Sequence, residues 1–220
     1  MSAKPSGGIL VTGFDPFGGE SVNPAYEAVR LLPDRIAGRR VTRLEIPTAF
    51  RRGAKAVEDA MERERPDIVV CVGQAGGRSA ITVERVAINL AEASIPDNDG
   101  ERPNGTPLRV DGDTAYFASL PVKAMVRAIN AHGIPAALSY TAGTYVCNAL
   151  MYTVLYLIDR RFPGVKGGFI HVPFAVGQGV GKPNGTPTME ITTMARALEY
   201  AIEAAVSTDD DADEIMGTTH

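Results

Sequence analysis

Short apolar runs alternate with amphipathic stretches along this chain, and the alternation predicts its main elements. Continuous apolar runs are typical of strands that are covered on both faces. We expect strands at 8–12, 41–46, 67–73, 136–140 and 168–172, and the segment 67–73 (DIVVCVG) is such an apolar run. A looser alternation at 81–90 predicts an antiparallel or edge strand. Helices are expected at 24–32, 50–65 and 122–131, from about 147 onward, and within 187–206.

Residue types at the ends of these segments support the helix predictions. Asn23 is suited to an N-cap, and Pro24 to the first helical position that follows it. Strands that alternate with helices predict an α/β fold. We expect a single-domain, three-layer α/β/α sandwich whose twisted sheet is mixed but mainly parallel. Functional sites of such folds gather at the carboxyl ends of the strands.

The chain of 220 residues shows no internal repeat and no linker inside its main body. We therefore predict one α/β domain over residues 1–206, followed by a disordered, acidic tail over 207–220. Residues 92–113 are rich in Pro, Asn, Asp and Gly, which indicates an extended loop. Loops of that length in compact domains often serve a function.

Composition and charge narrow the possible partners. The net charge is −4 and there is no long block of Lys or Arg, so we expect no nucleic-acid partner. Residues 133–158 carry no charge, but their Pro, Ser, Thr and Asn residues favour a buried strand and helix over a membrane span. We expect no signal peptide. The two cysteines are then expected to be free thiols in a reducing cytoplasm.

Cys147 is the first candidate for chemistry. It follows the small-residue turn TAGTYV, where a helix is predicted to begin. A helix N-terminus stabilises a thiolate and is expected to lower the pKa of this thiol. A buried structural cysteine remains an equally good interpretation from placement alone. Cys71 lies between valines inside an apolar strand, which favours an inert core position.

A base for this thiol must come from the three histidines. His171 ends the strand GGFIHVPF and is the best candidate, whereas His132 precedes Gly133 at a predicted helix end, and His220 is the last residue. Glu84, in ITVERVAINL, is a candidate to orient the imidazole. From spacing alone, a salt bridge or an outward-facing position explains Glu84 better.

Metal and phosphate binding have little support in the sequence. There is no HxxxH or CxxC pair, so we expect no metal site. The loops GFDPFGG and GQAGGR match neither GxGxxG nor the P-loop. They indicate tight turns or a close backbone approach to a small ligand.

Four long motifs in order resemble the pyrrolidone carboxyl peptidases (pyroglutamyl peptidase I). They are VTGFDPFGGESVNPAYEA, VGQAGGRSAITVERVAINLAEASIPDNDG, SYTAGTYVCNALMY and GFIHVPF, and they lie between residues 11 and 174. The resemblance implies a Cys-His-Glu triad formed here by Cys147, His171 and Glu84. It also implies a cytoplasmic, cofactor-free enzyme that frequently forms a homotetramer.

The same resemblance implies an activity and a binding pocket. Such an enzyme removes an N-terminal pyroglutamyl residue from peptides through a thioester acyl-enzyme. The residues expected around the substrate are Phe14, Phe17 and Gln74, with Ile95, Tyr145 and Val146 as weaker candidates.

Two segments depart from the family pattern, and two other functions stay open at this point. Ser94 stands where many members have Arg, and residues 175–188 follow the usual pattern poorly. A phosphorylase-like transferase shares the resembled fold. A non-catalytic binding protein with a retained triad is the other alternative.

Overall fold

The computed structural model describes residues 7–217, which contain a seven-stranded sheet with helices on both faces. The strands of this sheet are β1 (Ile9–Phe14), β2 (Arg35–Ile36), β3 (Arg39–Ile46), β4 (Ile68–Gln74), β5 (Ile81–Glu84), β8 (Ala136–Ser139) and β9 (Lys166–Val172). Two small pairs join β6 (Val86–Ile88) to β7 (Ala115–Phe117) and β10 (Phe174–Ala175) to β11 (Thr188–Met189). The helices are α1 (Pro24–Arg30), α2 (Phe50–Glu64), α3 (Val122–Ala131), α4 (Val146–Arg160) and α5 (Ile191–Ser207), with a short 3-10 helix at Val176–Gly179.

The strand order is β2-β3-β1-β4-β9-β5-β8, and most neighbours run parallel. Strand β2 is antiparallel to β3, and β5 is antiparallel to β9 but parallel to β8, so β2, β5 and β8 run opposite to the four central strands. Helices α2 and α4 pack together on one face, and α1, α3 and α5 cover the other. The predicted α/β class, with a mixed and mainly parallel sheet, is confirmed.

The central strands are buried along their whole length, as continuous apolar runs require. Every residue of β1 is buried, and in β4 only Gln74 is partly exposed. Each large apolar side chain buried in this way contributes about 1.5–3 kcal/mol. Helices on both faces supply the cover that makes such runs stable in a parallel sheet.

The structure refines the prediction for residues 81–90 and agrees with the strand and helix expected over residues 133–158. The alternating segment 81–90 divides at Arg85 into β5 and β6, and β5 is an interior strand because β8 lies beyond it. The uncharged segment 133–158 forms β8 and most of α4. Within residues 7–217, no helix is long and apolar enough to cross a bilayer.

Hydrogen bonds hold the loops above the carboxyl ends of the parallel strands. Asn23 caps α1 as predicted, because its side chain accepts a bond from the N–H of Ala25. Asp97, in the loop 92–113, accepts a 2.8 Å bond from the N–H of Phe50 at the start of α2. Asp15 accepts a 2.6 Å bond from the N–H of Thr48. These contacts give the region around the strand ends a defined shape.

The described part of the predicted tail also makes contacts. The Asp211 carboxylate accepts bonds of 2.8 and 3.1 Å from the N–H groups of Lys123 and Ala124 at the start of α3. Helix α3 has no side-chain cap of its own at Pro121, so Asp211 fills that position. Residues 218–220, including His220, lie outside the described residues.

Candidate active site

Neighbouring strands carry the candidate histidine and glutamate on the same face of the sheet. His171 of β9 pairs with Gly73 of β4 on one side and with Thr82 of β5 on the other. Glu84 lies two residues along β5, opposite Phe169. Because alternate residues of a strand share a face, the side chains of His171 and Glu84 point to the same side.

The sulfur of Cys147 lies against this face. A β-carbon built on Gly73 would be 2.8 Å from Cys147 Sγ and 2.7 Å from the ring of Phe169. Any side chain at position 73 would therefore collide with the thiol. Glycine allows the start of α4 to approach the strand next to His171, and Cys147 and His171 line the same cavity.

A buried hydrogen bond joins His171 to Glu84. His171 Nδ1 lies 2.7 Å from Glu84 Oε1, and the two residues are 4% and 0% exposed. A carboxylate accepts hydrogen bonds, so Nδ1 carries the hydrogen, and Nε2 of the neutral ring is free to accept a proton. Glu84 Oε2 has no hydrogen-bond partner among the described residues. This bond fixes the orientation of the ring.

Arg78 is a second partner of Glu84 that the sequence analysis did not single out. Its guanidinium donates a 2.6 Å bond to Glu84 Oε1 and a 3.2 Å bond to the carbonyl of Thr141. The side chain is 30% exposed and lines the cavity. The sequence did contain a pointer to this contact: Arg78 ends the GQAGGR motif, and the candidate carboxylate Glu84 follows six residues later.

The surroundings shift the pKa of each group. Burial raises the pKa of the Cys147 thiol to about 12, and the charge of Glu84 adds to this rise. The lowering expected from the helix N-terminus is therefore outweighed, and that prediction is wrong. Burial lowers the pKa of His171, although the bond to Glu84 opposes the change. Both groups are thus neutral at pH 7.

Glu84 remains ionised in this setting. Burial alone would raise the pKa of its carboxyl group, but the hydrogen bond and charge of His171, with Arg78, bring the pKa below the ordinary value. A buried carboxylate without such partners would be expensive. Arg78 and His171 together keep Glu84 in the form that accepts hydrogen bonds.

A cavity of about 280 Å³ opens at Cys147 and His171. Five of the six expected substrate-binding residues line it: Phe14, Phe17, Gln74, Tyr145 and Val146. Ile95 is 44% exposed and lies outside the lining. Asn23 and Thr48 also line the cavity and were not anticipated. No Asp or Glu of residues 7–217 belongs to the lining, and Arg78 is its permanently charged member.

The first turn of α4 presents free backbone groups to this region. Tyr145 occupies the N-cap without a side-chain hydrogen bond, and Ala149 is the first residue whose N–H bonds within the helix. The N–H groups of 146–148 lack intrahelical partners, as in every helix. Such donors next to a nucleophile suit a developing oxyanion.

Cys71 and His132 occupy the structural positions that the sequence favoured. Cys71 is a fully buried free thiol in β4, and burial raises its pKa to about 12. The ring of His132 stacks on Tyr200 at 3.6 Å, and its Nδ1 lies 2.8 Å from the carbonyl of Ala128. Neither residue lines the cavity.

A thiol, an imidazole and a buried carboxylate on one face of an α/β sheet define a cysteine hydrolase. The family model for pyroglutamyl peptidase matches residues 8–208. The chain is 54% identical over 212 residues to a pyrrolidone-carboxylate peptidase of Enterococcus faecalis, which covers 96% of this chain and 99% of the relative. A Clostridium perfringens pyrrolidone-carboxylate peptidase is 50% identical over 209 residues, covering 95% and 98%.

Solved structures agree with these sequence matches. Pyroglutamyl peptidase I from Bacillus amyloliquefaciens superimposes with a TM-score of 0.91 at 44% identity, covering 95% of this chain and 99% of that one. Pyrrolidone carboxyl peptidase from Thermococcus litoralis gives a TM-score of 0.90 at 37% identity over the same shares. The chain belongs to the pyroglutamyl peptidase family.

Proposed function

We propose that this protein is a cysteine peptidase that removes an N-terminal pyroglutamyl residue from peptides, with Cys147 as nucleophile, His171 as base and Glu84 as its orienting group. The observation that carries the proposal is the buried His171–Glu84 hydrogen bond beside Cys147, at the wall of the cavity. Family membership and this arrangement point to the same chemistry. Neither a phosphorylase-like transfer nor a purely binding role has an observation in its favour.

Acylation begins from a neutral thiol and a neutral imidazole. As Cys147 Sγ attacks the pyroglutamyl carbonyl carbon, His171 Nε2 takes the thiol proton, and Glu84 stabilises the imidazolium that forms. The free N–H groups in the first turn of α4 are placed to stabilise the oxyanion. One such donor is worth about 3 kcal/mol of barrier.

The leaving amine and a water molecule complete the cycle. His171 returns its proton to the amine nitrogen as the C–N bond breaks, which leaves a thioester on Cys147. Water, deprotonated by His171, then attacks the thioester carbonyl. The C–S bond breaks, the thiol recovers its proton, and free pyroglutamate leaves.

The cavity suits a neutral ring more than a charged amino terminus. Apolar walls with a few polar groups are the usual form of a small-molecule pocket. With the pyroglutamyl ring bound in the cavity, Phe14 and Phe17 face its methylene groups, and Gln74 faces a polar atom of the lactam. Tyr145 and Val146 close the side next to the nucleophile, whereas Ile95 is 44% exposed and outside the cavity lining.

The decisive experiment compares two substitutions that make the same chemical change. Cys147→Ser should lower kcat/KM for a fluorogenic pyroglutamyl amide by at least about a thousandfold, because a hydroxyl paired with this neutral imidazole is a poor nucleophile. Cys71→Ser should leave kcat/KM nearly unchanged and lower only the stability, since Cys71 is buried away from the cavity. Full activity in Cys147→Ser, or loss only in Cys71→Ser, would sink the proposal.

Assembly and location are separate parts of the proposal. A cytoplasmic homotetramer fits the family resemblance and the two free cysteines. Sedimentation of the purified protein should give about four times the chain mass of 23.3 kDa. A monomeric mass at micromolar concentration would contradict the tetramer but would leave the proposed peptidase mechanism unaffected.

A further inference from the structure

Gln178 is a buried polar residue whose side chain bonds to three segments, one of which carries the cavity residue Gln74. Its Oε1 accepts a 2.9 Å bond from the N–H of Ala175. Its Nε2 donates to the carbonyl of Val22 at 3.3 Å and to Oε1 of Gln74 at 3.0 Å. Gln178 is 9% exposed and lies in the short 3-10 helix that follows β10. Its three bonds engage the amide on both of its ends.

These bonds fix which way each amide points. The N–H of Ala175 only donates, so it must face the oxygen of Gln178. The nitrogen of Gln178 therefore faces Gln74, and Gln74 must accept this hydrogen bond through its side-chain oxygen. The Nε2 group of Gln74, with its two hydrogens, is left over. No described residue accepts a hydrogen bond from it, and Gln74 lines the cavity.

The Gln74 side chain points away from the face of the sheet on which Cys147 lies. The β-carbon position of Gly73 points at Cys147 Sγ, so the next residue of β4 points to the opposite face. There Gln74 meets Gln178, on the side of the loop that leads into α1. With the scissile carbonyl at Cys147, the part of the substrate that reaches Gln74 is the far side of the ring.

We infer that Gln178 is a positioning residue, which holds the Gln74 amide so that its NH₂ group meets the lactam carbonyl of the substrate. The inference rests on the proposed function and deepens it. A reversed Gln74 would present an oxygen to that carbonyl and repel it. Gln178 thus determines the polarity of the ring-binding end without touching the substrate.

The test is a double-mutant cycle between Gln178→Met and Gln74→Met, assayed with a fluorogenic pyroglutamyl amide. Each single variant should raise KM about five- to tenfold, the effect of one hydrogen bond, with kcat changed less than about twofold. If Gln178 acts through Gln74, the double variant should be no worse than Gln74→Met alone. Should Gln178→Met not fold, Gln178→Glu retains an acceptor for the N–H of Ala175 and should raise KM in the same way.

Lys182→Met is the matched control. Lys182 bonds to Glu20 at 2.8 Å, so it ties the same segment to the same loop but makes no bond to Gln74. Its KM should stay near that of the wild type. An equal rise of KM in Lys182→Met, or additive effects in the cycle, would show a merely structural role and overturn the inference. Absence of wild-type turnover would instead overturn the proposed function, and this inference with it.

Discussion

At the scale of single residues, Arg78 and Glu84 act on His171 in opposite directions. The bond to Glu84 raises the pKa of the imidazole, and the charge of Arg78 lowers it. In the proposed mechanism the neutral imidazole of His171 is the base, so the acid limb of the kcat/KM profile should follow this pKa. Glu84→Gln should move the limb to lower pH and also reduce kcat about 10²–10⁴-fold, because the ring loses its ionised partner. Arg78→Met should move the limb to higher pH.

Rate–pH profiles of the three proteins check this pair of shifts. In the wild type the limb should lie below the ordinary histidine value of 6.5, since burial lowers the pKa of His171. Shifts of the same sign in both variants would contradict the assignment of His171 as the base. Arg78→Lys serves as the control, because it keeps the charge next to Glu84.

The same groups make the folded state sensitive to acid. The pKa of His171 is lower in the folded chain than in the unfolded chain. Below pH 6.5 the unfolded chain therefore binds the proton more readily, and the free energy of unfolding decreases as the pH falls. Glu84 has a lowered pKa when folded, and its contribution is lost as the pH falls through that value. Both groups therefore lower the free energy of unfolding as the pH falls.

Gly73 allows a prediction about close packing. Gly73→Ala should lower kcat/KM about a hundredfold, because the added carbon displaces Cys147 Sγ or Phe169 from its position. Overpacking should also cost about 1–3 kcal/mol of stability. Gly177→Ala is the control, since a β-carbon there meets no atom within 4 Å. Wild-type activity in Gly73→Ala would show that the sulfur does not lie against β4.

Residue-scale predictability depended on the kind of signal. Cys147 could be proposed from its place at a helix start, and His171 from its place at a strand end. Glu84 needed the family motif, because the local alternation at 81–90 does not tell that β5 pairs with β9. The role of Gln178 could not be predicted from the sequence, because its side chain bonds to residues that are 104 and 156 positions away.

At the scale of elements, Asn148 fastens β6 to α4. It is 1% exposed, accepts a 3.0 Å bond from the N–H of Ile88, and donates to the carbonyls of Ile88 and Leu90. Asn148→Ala should lower the free energy of unfolding by about 2–4 kcal/mol, because buried backbone groups lose their partners. Urea titration measures this loss. Tyr156→Phe removes one exposed bond of the same helix to Asp111 and should change little; equal losses would refute the argument.

The sequence predicted the elements that have a clear hydrophobic pattern, but not the short strands that are defined only by their pairing. The long apolar strands and amphipathic helices were predicted to within a few residues. The two-residue strands β2, β10 and β11 were missed because only their partners define them. The position of β5 inside the sheet depends on β8, which is more than fifty residues later.

At the scale of the molecule, the segment after α5 is expected to support stability and not catalysis. Removal of residues 208–220 deletes the Asp211 cap of α3 and should lower the free energy of unfolding by about 1 kcal/mol, with kcat/KM unchanged. Asp211→Ala should reproduce most of the loss. Asp213→Ala, with the same change of charge, should not; a large drop in activity on truncation would instead make the segment part of the catalytic domain.

The cavity without an acidic side chain has a consequence for the history of a substrate. A peptide that still begins with glutamine carries an ammonium group, which would enter beside Arg78 and find no carboxylate in the lining. Ring closure removes that charge. We therefore expect no cleavage at a newly made glutamine terminus, so that the slow cyclisation of this terminus would be the step that makes the chain a substrate.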